Sequence, residues 1–156
     1  MIKFNDLVAE SAKNVTEIFP WDLEERLEEN PSLIILDIRE PYEFEAMHIK
    51  NSLNVPRGVL ETACEWEYEE TVKRLVEARD KEVVVVCRSG NRSIFACEVM
   101  KKMGYKNVVS LKTGLRGWSD YEQALFDKLE NEVDEDTAID YFTSTIRPDQ
   151  MAPVKE

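Results

Sequence analysis

The chain has 156 residues, 43% of them hydrophobic and 33% charged, which suits one domain with a short appendage at each end. A formal charge of −12 would repel a phosphate backbone and argues against general nucleic-acid binding. No apolar run approaches the ~18 residues that span a bilayer, and the opening MIKFNDLVAESAKN lacks the charged-then-apolar pattern of a signal peptide, so a cytoplasmic protein without a membrane partner is expected.

Residues 1–19 are polar with scattered apolar positions and can form a short helix. Pro20 opens a clearer one, Trp21 to Glu29, with Leu23 and Leu27 on one face and Asn30-Pro31 as its stop. Leu33-Ile34-Ile35-Leu36 is a short continuous apolar run, the habit of a strand buried on both faces of a parallel sheet. It leads into Asp37-Ile38-Arg39, and Pro41 suits the first turn of a short helix through Ala46. Ser52 to Val55 reads as another short strand. Over residues 58–79, Leu60, Cys64, Tyr68, Val72, Leu75 and Val76 form one apolar stripe, which predicts a long surface helix.

Val83 to Val86 is the plainest strand, four β-branched residues in succession. It runs directly into Cys87-Arg88-Ser89-Gly90-Asn91-Arg92-Ser93, and a helix follows to Met103 with Gly104 as its cap. Val108 to Leu111 is the next strand, and Gly114 and Gly117 loosen the backbone before Trp118. Residues 119–140 hold nine acidic residues against one basic, Lys128, but Leu125, Phe126, Leu129 and Val133 could still supply a buried helical stripe. From Tyr141 onward an arm or loose tail is expected. Strands alternating with helices predict an α/β fold with a mostly parallel sheet, in which ligands sit beyond the carboxyl ends of the strands. Cys87 occupies such a position.

Three cysteines, Cys64, Cys87 and Cys97, cannot all pair, and a reducing compartment disfavours a disulfide framework. With no CxxC and a single histidine, neither a structural zinc site nor any other metal or cofactor is expected. Cys87 differs from the other two in its surroundings. A loop between a buried strand and a helix can turn several backbone N–H groups inward, and Gly90 can adopt the angles such a cradle needs. The helix N-terminus adds partial positive charge, which makes an anion site. Arg88 and Arg92 can add full charges. Each of these favours a nucleophilic thiolate over a thiol. A lone cysteine is more often a small buried hydrophobe, and that is the reading for Cys64 and Cys97.

The stretch Cys87 to Ser93 resembles the active-site loop of single-domain rhodaneses. Asp37-Ile38-Arg39-Glu40-Pro41-Tyr42-Glu43-Phe44 resembles an upstream signature of that family, continued by His48-Ile49 and Asn54-Val55-Pro56. Leu111 through Gly114 with Gly117-Trp118 resembles its closing signature. Met47, Lys50-Asn51 and Thr113 depart from the pattern at turns, outside the loop. The resemblance implies a three-layer fold with a central sheet flanked by helices. It divides the chain into an N-terminal extension over 1–15, a rhodanese-like domain over 16–125 and an acidic extension over 126–156.

The reaction it implies is sulfur transfer through a persulfide on Cys87. A small sulfur-containing anion such as thiosulfate is the donor, and a thiol, cyanide or a sulfur-acceptor protein takes the sulfur. Arg88, Ser89, Gly90, Asn91, Arg92 and Ser93 would form the anion-binding loop. Asp37 and Arg39 would brace the strand ends by charged hydrogen bonds. Two alternatives remain: a persulfide carrier serving a dedicated partner, and a rhodanese-related phosphatase. The latter needs a loop one residue longer than the four residues between Cys87 and Arg92. His48 is read as shaping a turn, Trp118 as a core anchor, and Glu40 and Glu43 as surface or capping residues.

Overall fold

The structure, a computed structural model, describes residues 1–155. Its elements in chain order are α1 (Phe4–Ala12), β1 (Glu17–Ile18), α2 (Pro20–Glu29), β2 (Ile34–Asp37), α3 (Pro41–Ala46), β3 (Leu53–Asn54), α4 (Leu60–Ala63), α5 (Lys73–Val76), β4 (Glu82–Val86), α6 (Arg92–Lys102), β5 (Asn107–Leu111), α7 (Gly114–Asp120) and α8 (Glu135–Phe142). The strands form one parallel sheet in the order β1-β5-β4-β2-β3. Ile34 pairs with Val83 and Asp37 with Val86, so β2 and β4 end side by side. Cys87 therefore leaves the sheet next to Ile38, whose N–H donates to the Val86 carbonyl at 3.1 Å.

Successive strand residues point to opposite faces, and both faces are covered. Ile34, Leu36, Val83 and Val85 pack with Leu60, Leu75, Ala96 and Met100 from α4, α5 and α6. Ile35, Val84 and Val86 pack with Leu23, Leu115, Trp118 and Phe142 from α2, α7 and α8. Burial on both faces explains why β2 and β4 read as unbroken apolar runs. Among the described residues, no helix is long and apolar enough to cross a membrane.

Two expected helices are broken. The stripe over 58–79 becomes a 3₁₀ turn at Arg57–Val59, the short α4, an irregular bend and the short α5. At the bend the Thr71 hydroxyl accepts from the Tyr68 N–H (3.0 Å) and donates to the Glu65 carbonyl (2.6 Å), while Glu67 lies at φ 72°. Such local bonds offer the backbone an alternative to the helix. Leu60, Cys64 and Leu75 still reach the core, but Tyr68 is exposed.

The second is the stripe expected within residues 119–140. Leu125 is buried there, but Leu129 is 78% exposed. The Asp127 carboxylate accepts from the N–H groups of Leu129 (2.9 Å) and Asn131 (3.0 Å), which winds this stretch into a turn. The helix begins only at α8, capped by Asp134, which accepts from the Thr137 N–H at 2.9 Å. The loose tail also starts later than expected, because Phe142 is buried in the core. Glu156, the last residue of the predicted extension, lies outside the described residues.

Candidate active site

Four valines of β4 carry the chain through the sheet and deliver Cys87 at its carboxyl edge, 1% exposed. The next six residues curl around its sulfur. The Gly90 N–H donates to Sγ at 3.2 Å and the Ser93 N–H at 3.3 Å. The thiol in turn donates to Ser93 Oγ at 3.3 Å, and Ser93 Oγ lies 2.7 Å from Ser110 Oγ. A hydroxyl rotates its hydrogen to suit its neighbour. When the sulfur is a thiolate, Ser93 can therefore turn its proton toward it and accept one from Ser110. Ser93 also belongs to the first turn of α6, so the positive end of that helix faces the same sulfur.

What holds the loop in this shape lies one layer further out. The Leu115 N–H donates to the Cys87 carbonyl (2.9 Å) and the Arg116 N–H to the Arg88 carbonyl (3.0 Å). Both come from the start of α7. They draw the loop carbonyls away from the sulfur and leave the N–H groups turned toward it. This contact needs Gly114, since a Cβ there would stand 2.5 Å from the Cys87 carbonyl oxygen. Gly90 is equally constrained: its φ is +86°, and a Cβ would meet the Thr113 nitrogen at 2.9 Å.

The arginines do not act as two free charges around the sulfur. Arg92 makes a two-pronged ion pair with Glu43, both N···O distances 3.0 Å. Arg88 donates to the Phe142 carbonyl at 3.2 Å, at the C-terminal end of α8, where a cation is favoured. Glu43 is a buried partner rather than a surface residue, and it also caps α3 by accepting the Glu40 N–H at 2.9 Å. Burial pushes the Glu43 carboxyl up, but the Arg92 hydrogen bond, the Glu40 N–H and the charges of Arg92 and Arg39 outweigh it and hold it below the usual carboxylate range.

Asp37 and Arg39 form a fully buried ion pair, with Arg39 Nη2 2.8 Å from Asp37 Oδ2 and 2.7 Å from the Met47 carbonyl. Asn54 ties the same corner by donating to the carbonyls of Asp37 (3.0 Å) and Arg39 (3.1 Å). Their geometry is that of bracing. Ser89, Asn91, Arg88 and Arg92 line a cavity of about 170 Å³ at Cys87, together with Phe4 from α1.

His48 is buried away from this cavity. Its Nδ1 lies 2.7 Å from the Phe44 carbonyl, and its backbone exchanges two hydrogen bonds with Phe126 (2.9 and 2.8 Å). It pins the C-terminal segment to the sheet corner. Cys64 and Cys97 are buried in the core, and burial pushes both thiols up. Two participants escaped the sequence reading. Ser110 had a signal, a lone hydroxyl inside an apolar strand. Phe4 had none, because nothing local links it to a loop more than eighty residues away.

Residues 20–121, a span that holds the cysteine loop and four of the five strands, match the family model described as a rhodanese-like domain. The chain belongs to the rhodanese-like domain family. It is similar to YrkF of Bacillus subtilis, provisionally named a sulfur carrier protein, with 33% identity over 112 residues, covering 71% of this chain and 55% of the relative. It is also similar to a mitochondrial protein of Schizosaccharomyces pombe provisionally named a thiosulfate sulfurtransferase, with 36% identity over 115 residues, covering 69% of this chain and 80% of the relative. Thus the chain spans about half the length of the first relative and most of the second. Among solved structures, a Rhodopseudomonas palustris protein of unknown function, described as a possible tyrosine phosphatase, superposes with a TM-score of 0.71 at 26% identity, covering 79% of this chain and 93% of that one.

Proposed function

We propose that this protein is a sulfurtransferase that carries a sulfur atom as a persulfide on Cys87. The observation that carries the reading is the cradle: two backbone N–H groups aimed at one buried sulfur at a helix N-terminus. Sulfur transfer in general also has the support of the family and of relatives named for sulfur carriage and sulfurtransferase activity. In the first step the Cys87 thiolate attacks the sulfane sulfur of thiosulfate. The new S–S bond forms as the old one breaks, and the bonding pair leaves on sulfite. In the second step cyanide or an acceptor thiolate attacks the outer sulfur, and the Cys87–sulfur pair returns to Cys87 as thiolate. The loop N–H groups stabilise negative sulfur in both steps.

The likeness to the protein described as a possible phosphatase gives phosphoryl transfer a hearing. Two features weigh against it. The loop holds four residues between Cys87 and Arg92, short for a phosphate. Arg92, the cation such chemistry would turn on its anion, is held by Glu43. The anion is therefore gripped mainly by N–H dipoles, which suits one sulfur atom. The unpaired cysteines also suit a reducing, cytoplasmic setting.

Mass spectrometry of the intact protein after incubation with thiosulfate tests the reading. A gain of one sulfur atom that is lost on adding cyanide and absent in Cys87→Ser is expected. Persulfide formation with slow turnover to cyanide would favour a carrier that serves a protein acceptor. A Cys87→Ser variant that still transfers sulfur would overturn the mechanism.

A further inference from the structure

Helix α1 lies outside the segment that matches the family, which begins at residue 20. It is nevertheless fastened along α6. The Glu98 carboxylate accepts from Ser11 Oγ (3.4 Å) and Asn14 Nδ2 (3.2 Å), and Lys101 Nζ donates to the Asn14 carbonyl (2.8 Å). At its other end the Phe4 ring tilts against Phe95, with centroids 6.3 Å apart. Phe4 and Ser11 of α1, with Asn14 just beyond its end, thus meet residues 95 and 98–101 of α6 in the same order. The two helices run in one direction, and both N-termini lie at the end that holds Cys87.

This arrangement brings Phe4 into the wall of the Cys87 cavity, opposite a loop that otherwise supplies the lining. The cavity is small, about 170 Å³, against the several hundred of a typical small-molecule site. Every other lining residue, Cys87, Arg88, Ser89, Asn91 and Arg92, belongs to the loop whose backbone forms the sulfur cradle. Among the described residues, Phe4 is the one wall element held from outside the loop. It is 53% exposed although it is a large aromatic, so core packing does not account for its place. Its contact with Phe95 holds the ring at the rim.

From this geometry we infer that Phe4 is a specificity-determining residue. It narrows the approach to Cys87 so that small donors and acceptors reach the sulfur and branched or peptide-sized thiols are disfavoured. The inference rests on the sulfur-transfer reading for its substrates, but the steric gate itself concerns only access to Cys87.

Two readouts on the full chain test it. The first is the ratio of sulfur-transfer rates from thiosulfate to glutathione and to cyanide. Phe4→Ala is expected to raise the glutathione-to-cyanide ratio by about fivefold or more, because a missing wall group relaxes discrimination by size. The second needs no sulfur chemistry. Cys87 is alkylated with iodoacetate or with a bulky aromatic maleimide, and the Cys87 peptide is quantified by mass spectrometry. Phe4→Ala is expected to accelerate the maleimide more than iodoacetate.

Leu7→Ala, which trims a half-exposed apolar side chain of the same helix and leaves Phe4 and its contact with Phe95 in place, is expected to keep the parental ratios. An equal shift in Leu7→Ala would assign the effect to helix docking and overturn the role of the Phe4 ring. Unchanged ratios in Phe4→Ala, or a lowered glutathione ratio, would also overturn it. A chain that takes up no sulfur on Cys87 but shows the alkylation shift would sink the transferase reading and leave the gate standing.

Discussion

Replacing Gly90 by alanine tests the cradle most directly. Gly90 has φ +86°, and an added Cβ would meet the Thr113 nitrogen at 2.9 Å and the Leu111 carbonyl oxygen at 3.1 Å. Both neighbours are backbone, and β5 and the start of α7 hold them in place, so the loop must move instead. An alanine in left-handed backbone costs ~1–2 kcal/mol, and relieving the overlap adds about 1 kcal/mol, for a total of about 2–3 kcal/mol. In a chain of this size that corresponds to a fall in Tm of roughly 5–10 °C. The moving loop also withdraws the Gly90 N–H, one of two aimed at the sulfur. Losing one preorganised donor costs about 100-fold for an oxyanion, and for a more diffuse sulfur anion ~10- to 100-fold is expected. Thiosulfate–cyanide transfer by the variant, measured well below its own Tm, checks this. Full activity at an unchanged Tm would refute the reasoning, because it would mean that the loop tolerates the shift and the donor is dispensable.

Asp37→Asn leaves the fully buried Arg39 charge uncompensated and is expected to cost about 3–5 kcal/mol, lowering Tm by roughly 10 °C; calorimetry of the variant checks it. The Glu43–Arg92 pair makes stability depend on pH. Glu43 titrates below its ordinary value of 4.5 when folded, so its contribution is present above that pH and is lost as pH falls through the lowered value. Glu43→Gln should therefore lower the urea midpoint at pH 7, and the gap from the parent chain should narrow as the pH falls below 4.5. Thr113 sits in left-handed backbone at φ 69°. Thr113→Gly should relieve more strain than it adds in chain entropy, raising stability by ~0.5–1 kcal/mol in urea unfolding.

By itself the sequence determined four of the five strands, the alternation and the place of the cysteine loop, while the edge strand β1 fell inside a stretch expected to be helical. Ile34 to Leu36 and Val83 to Val86 could be read because a strand buried on both faces must be apolar at every position. The loop from Cys87 to Ser93 could be read because its cradle is built almost wholly from its own backbone, so residues close in sequence are close in space. The helix over 58–79 misled because its stripe is right for burial, while side-chain bonds at Thr71 break the backbone that would carry it. Tertiary structure alone decided everything that joins distant segments. It drew the Arg92 charge to Glu43, set Ser110 behind Ser93, tied the Cys87 carbonyl to α7, and brought Phe4 to the rim of the cavity. Composition and spacing carry no record of such pairs, because the partners meet only once the sheet has closed and α1 and α7 have docked against it.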